Sequence, residues 1–118
     1  MRMVQPIFFI PFVALMTVLL YAFVLFDRLL RSEHDSHRPA WEADGRPAGY
    51  FWQPPECTGI CLGSRLARMR LALLWLFRTP SWVAESCALA TLLRRHRLAV
   101  LGWNLGILAW FAFLLRFS

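Results

Sequence analysis

The sequence predicts an all-α membrane protein: a two-transmembrane helical hairpin whose cytoplasmic connecting segment contains an amphipathic interfacial helix. Three observations predict it. Residues 3–26 and 98–115 form two long runs without a charged side chain. All 13 basic residues are arginine, and 11 of them lie between the two runs. The composition is 58% hydrophobic and 17% charged, whereas a soluble domain runs nearer ~45–50% and ~25%. A chain of 118 residues makes one small domain at most, so the apolar excess belongs to spans rather than to a large soluble core.

The first span is placed at residues 1–27. Its uncharged run is roughly 36 Å long as a helix, enough to cross a hydrocarbon core of about 30 Å with some tilt. Pro6 and Pro11 predict a late start or a kink. Arg2 followed by an apolar run invites a signal-peptide reading. The run ends Val24-Leu-Phe-Asp-Arg28 without a small-x-small cleavage site and is longer than a signal core, so an uncleaved anchor is expected.

Residues 28–63 read as a polar, turn-rich cytoplasmic loop. Pro39, Gly45, Pro47, Gly49, Pro54, Pro55, Gly59 and Gly63 leave little regular structure to expect there. Ser64 is a suitable cap for a helix over 64–79. Arg65, Arg68 and Arg70 make its first half basic, and residues 71–77 are apolar all round but too few to cross. Such a helix, with Trp75 and Phe77 at its far end, suits the membrane interface. Packing on the ends of the spans is a second, compatible reading. Thr79-Pro80 breaks the helix. Thr79 as cap and Pro80 at the first position open a cytoplasmic helix over 80–97. Trp82, Leu89, Leu92 and Leu93 give it a helical apolar spacing, and nothing interrupts the pattern into the second span, 98–118. That run is roughly 27 Å long, near the minimum for crossing. Trp110 is placed toward the far interface, where tryptophan is favoured.

Arginine placement sets the orientation. Arg28, Arg31, Arg38 and Arg46 follow the first span; Arg94, Arg95 and Arg97 precede the second. Positive charge near span ends stays cytoplasmic. The expected location is the bacterial inner membrane, with a cytoplasmic connection and both termini periplasmic. The net charge of +6 then faces anionic lipid heads. No nucleic-acid-reading motif accompanies it, so nucleic acid is not an expected partner.

The chemistry-bearing residues are few. Three cysteines cannot complete an internal disulfide set, which fits a reducing compartment. Cys57 and Cys61, with His34 and His37, supply the ligand types of a tetrahedral zinc site. Neither pair has a usual finger spacing and no rigid element joins them, so no metal and no cofactor is expected; these four are the only candidates. Cys87 reads as a small packing residue on a helix. Gly102, Asn104 and Gly106 form a G-x3-G pattern with a central amide, read as a helix-packing face. Its partner is the first span or a second copy in a homodimer. Glu33, Asp35, Glu42 and Asp44 are placed in a solvated loop, and neither span holds an ionisable residue, which argues against a transporter. No catalytic motif and no small-molecule substrate is identified.

The layout as a whole resembles a known type. A first span leads to His34, Trp41-Glu42, Gly45-Arg-Pro47 and Tyr50-Phe-Trp52. An arginine- and aromatic-rich helix follows (Arg70 to Arg78), then a helix ending Leu92-Leu-Arg-Arg-His-Arg97 that runs into the second span. This order resembles the small two-span bacterial inner-membrane proteins of the universal stress protein B type. The resemblance implies an integral membrane protein linked to stress tolerance, without catalytic residues; the Cys57–Cys61 pair is not part of it. The expected function is therefore a non-enzymatic, stress-related or accessory membrane protein. A small auxiliary subunit of a larger membrane complex is the first alternative, and a cytoplasmic-face thiol or metal sensor the second.

Overall fold

The structure is a computed structural model that describes residues 5–55 and 62–117, with side chains from residue 9 onward. The described residues form five helices and no strand: α1 (Gln5–Ser36), α2 (Arg38–Ala43), α3 (Leu62–Phe77), α4 (Ser81–Ala84) and α5 (Cys87–Phe117). α1 and α5 have 32 and 31 residues, roughly 48 and 46 Å at 1.5 Å per residue. Both are long and apolar enough to cross a membrane. Only 17% of the most apolar window of α1 and none of that of α5 is buried. The core helix of a soluble protein would bury most of that surface.

The two long helices pack antiparallel. Phe12 meets Trp110 (5.9 Å between ring centroids) and Phe26 meets His96 (5.9 Å). Between these pairs Leu15 lies on Gly106, where an added Cβ would come within 2.5 Å of Leu15 Cδ2. Gly102 is different: a Cβ there would meet nothing within 4 Å. Gly106→Leu is therefore expected to cost about 1–3 kcal/mol by overpacking, and Gly102→Leu less than about 0.5 kcal/mol as a surface change. Chemical unfolding in mild detergent checks both.

Below the apolar runs the chain departs from the expected loop. α1 does not stop near residue 27 but runs on to Ser36. Residues 27–36 hold no Pro or Gly, and Phe26, Leu29, Leu30 and Glu33 recur at helical spacing and are all buried, so tertiary packing extends the helix. Pro11 lies inside α1 and does not delay its start. A buried aromatic core gathers there, built from Phe26, Leu29 and Leu30 of α1, Trp41 of α2, Leu71 and Trp75 of α3, Trp82 and Val83 of α4, and Leu93 of α5. Tyr50 and Trp52 pack against it. Residues 46–54 are irregular, as their prolines and glycines predict, but they are not solvated: Pro47, Ala48, Gly49 and Pro54 are buried.

Three helix boundaries also differ from expectation. α3 starts at Leu62, so Ser64 lies inside it, with its carbonyl accepting from Ala48 N–H (3.3 Å). Pro80, in extended conformation, is the N-cap of α4 rather than its first residue. The helix expected from 80 onward is split at Glu85–Ser86. Ser86 Oγ accepts from Leu89 N–H (3.4 Å), which makes Ser86 the cap of α5. Cys87 follows as the exposed first residue of α5, not as packing. The end of α3 is tied down by Arg97, whose Nε donates to the Trp75 carbonyl (2.7 Å) and whose Nη2 donates to Thr79 Oγ1 (3.1 Å). This supplies a partner to one of the last four carbonyls, which a helix leaves unbonded.

α3 has two unlike faces. Leu71 and Trp75 are buried. Leu62, Leu66, Met69, Leu73 and Phe77, spaced by three or four residues, are 59–85% exposed. This apolar stripe is as bare as the outer faces of α1 and α5.

Candidate functional site

The most highly organised polar region lies just below the apolar runs. It begins at Asp27, the first charged residue after the apolar run of α1. Its Oδ1 accepts from Tyr50 N–H (2.7 Å), and its Oδ2 accepts from Phe51 N–H (2.7 Å) and Trp52 N–H (3.0 Å). Three consecutive backbone donors on one carboxylate are charge-assisted bonds, the stronger kind. They fix the loop onto α1. Gly49 is required beside this clamp, because a Cβ would sit 2.6 Å from Asp27 Oδ1 and 2.8 Å from the Trp52 carbonyl. Arg68 closes the other side: its Nη1 donates to the Gly49 carbonyl (3.1 Å), and its guanidinium lies 4.4 Å from the Tyr50 ring centroid. Tyr50 in turn stacks on Phe23 at 3.9 Å. Burial pushes the Tyr50 phenol up, with Arg68 opposing and Asp27 adding to the rise.

Two turns further along α1, beyond the apolar run, Glu33 is fully buried. This overturns its expected place in a solvated loop. As a carboxylate it is poorly satisfied: neither oxygen receives a hydrogen bond of good geometry, and the Trp82 side chain offers only a marginal one. Burial pushes its pKa up to about 9, Asp44 adds to the rise by hydrogen bonding and by its charge, and Trp82 opposes it. The neutral acid resolves the conflict, since a carboxylic acid can donate to Asp44 where a carboxylate cannot. On α5, two residues before its apolar run and packed on Phe26, His96 is 4% exposed and its Nδ1 has no partner. Burial, then the charge of Arg97, pulls its pKa down to about 4, so the ring is neutral.

The residues singled out from sequence fare differently. Cys57 and Cys61 lie outside the described residues. His34 is 6% exposed; its Nδ1 donates to Asp35 Oδ1 (2.9 Å), and its ring meets Trp41 edge-on at 4.7 Å. His37 stacks on Trp82 at 5.1 Å. Among the described residues no group of three or more His, Cys, Asp or Glu is placed to hold a metal ion. Gly106 faces α1, whereas Gly102 faces open space and Asn104 turns back on its own helix, Nδ2 donating to the Val100 carbonyl (2.7 Å). Asp27, Gly49 and Arg68 were not legible as a unit. The signal available was an acid at the end of an apolar run and a glycine before three aromatic residues, which carries no distance information.

The fold places the chain in a broad class, an all-helical protein with two helices long and apolar enough to cross a membrane. No family model, curated protein or solved structure matches it.

Proposed function

We propose that this chain is a non-enzymatic, accessory integral protein of the bacterial inner membrane, inserted as a two-span hairpin with both termini periplasmic. The observation that carries the membrane reading is the bare apolar surface of α1 and α5, and α3 adds a bare stripe of its own through Leu62, Leu66, Met69, Leu73 and Phe77. α3 would lie along the bilayer surface, its stripe in the acyl boundary and its arginines toward the headgroups. Arg28, Arg31, Arg94 and Arg95, exposed at the base of the two apolar runs, support a cytoplasmic connection. The link to stress tolerance has its support in the layout resemblance. A reporter fused after Ser118 is expected on the periplasmic side; cytoplasmic activity would overturn the orientation.

The polar region fits a structural role under this reading. Its charged groups bind backbone and each other, which makes the aromatic core a rigid base under the spans. One observation favours the auxiliary-subunit alternative: Gly102 faces open space on the outer side of α5, and a small residue in a span admits another helix. The same face suits a homodimer. Purification in mild detergent separates these readings. A stoichiometric large partner supports the subunit, a dimer supports self-association, and a lone chain supports the independent accessory protein. A sensor using Cys57 and Cys61 predicts bound zinc that disappears in the Cys57→Ser, Cys61→Ser double variant.

A further inference from the structure

A cavity of about 220 Å³ opens where α1, α3 and α5 meet. Leu19, Phe23, Leu73 and Val100 form apolar walls, and His96 and Trp103 border it. None of its lining residues is an acid or an arginine. Leu19 lies eight residues before Asp27 in α1, roughly 12 Å along the helix, so the cavity reaches from the polar core into the apolar layer. Two buried polar atoms sit at its border without a partner, His96 Nδ1 and Trp103 Nε1. An indole N–H can only donate, so what it lacks is an acceptor. An orphaned buried donor is costly.

We propose that this cavity binds the carbonyl end of a neutral, membrane-dissolved amphiphile, with its apolar body in the bilayer. This rests on the membrane reading above. Both rings line the cavity, which puts a carbonyl seated in it beside them. The indole N–H then donates to the carbonyl, and His96 does the same in its Nδ1–H tautomer. The neutral state of His96 and the uncharged lining select against phosphates and free acids. Pockets for whole drug-sized molecules hold ~300–1,000 Å³, so this one takes a ring or a short stretch of chain. Two classes of membrane molecule carry the chemistry: an isoprenoid quinone and an ester-linked glycerolipid.

The full chain in nanodiscs, exposed in turn to a photoreactive short-chain benzoquinone and a photoreactive diacylglycerol, tests it. One probe is expected to label residues 19–23, 72–76 or 100–104 saturably and to be displaced by its unlabelled form. Labelling should fall about fivefold or more in Trp103→Phe, the loss expected for one hydrogen bond, and again in Val100→Phe, which fills the space. Retained helicity by circular dichroism qualifies each variant. Saturable labelling by the quinone assigns that source, and by the lipid the other. Diffuse labelling along α1 and α5, unchanged in both variants, overturns the proposal. Carbonate extraction is read in parallel: release of the chain from membranes would overturn the membrane reading as well, whereas retention with diffuse labelling overturns this site alone.

Discussion

Asp27→Ala is expected to lower the unfolding free energy by about 3–4 kcal/mol, among the largest losses a single change produces. The carboxylate binds three backbone N–H groups in the native state. Hydrogen bonds to a charged group contribute ~1.5–3 kcal/mol each before non-additivity, and their loss leaves half-buried donors without an acceptor. Gly49→Ala attacks the same contact from the other side, because the new Cβ would enter the space of Asp27 Oδ1 and the Trp52 carbonyl. One obstacle is backbone and the other is the clamp itself, so neither can yield cheaply, and a loss of about 2–4 kcal/mol is expected. Once Asp27 is alanine, part of the obstacle is gone. The double variant should therefore fall short of the sum of the singles by about 1 kcal/mol or more. Equilibrium unfolding in mild detergent gives all three values, and strict additivity would separate the glycine from the clamp.

Above about pH 6.5 the folded protein is expected to lose stability steadily up to about pH 9, and Glu33→Gln should abolish the loss. Folding raises the pKa of Glu33 from 4.5 to about 9. Between those values the folded chain holds a proton that the unfolded chain has released. The stabilisation is full below pH 4.5 and is lost as pH rises toward 9, with a slope of at most ~1.4 kcal/mol per pH unit. His96 acts in the opposite sense. Its pKa falls from 6.5 to about 4 on folding, so its contribution is full above pH 6.5 and is lost as pH drops toward 4. The two slopes oppose each other between pH 4.5 and 6.5, and Glu33 alone acts above that. Glutamine keeps a donor for Asp44 and never ionises, so the variant should be flat from pH 6.5 to 9 and more stable than the parent at the upper end. A parent chain equally stable at both ends would show that Glu33 ionises at no cost.

The contrast between these two acids shows what was legible in the chain. Asp27 and Glu33 lie six residues apart on one helix, yet the sequence put Asp27 at the last position of the first span and Glu33 in a solvated loop. Leu29, Leu30 and Glu33 do have helical spacing, but the glycines and prolines that begin at Pro39 dominated the window. The short cap at Ser86 was missed for a related reason. A serine inside a long apolar-periodic stretch reads as tolerated, and only the turn at Glu85 reveals it as a start. In the G-x3-G pattern, spacing placed both glycines a turn apart, but four residues also rotate a helix by about 40° past a full turn. That rotation leaves Gly106 against Leu15 and Gly102 in the open.

Charge and hydropathy along the chain were enough to decide two long apolar helices, the irregular stretch over residues 46–54, the break at 79–80, and the concentration of arginine between the helices. These are local properties: each residue contributes independently of where the chain goes next. The aromatic core, the Asp27 clamp and the neutral Glu33 were decided by the tertiary structure alone. Each depends on residues far apart in sequence meeting at bonding distance, as when Asp27 receives N–H groups from residues 50 to 52. Burial then alters the chemistry, because a carboxyl removed from water keeps its proton. The sequence names that group as an acid, and only its surroundings make it neutral.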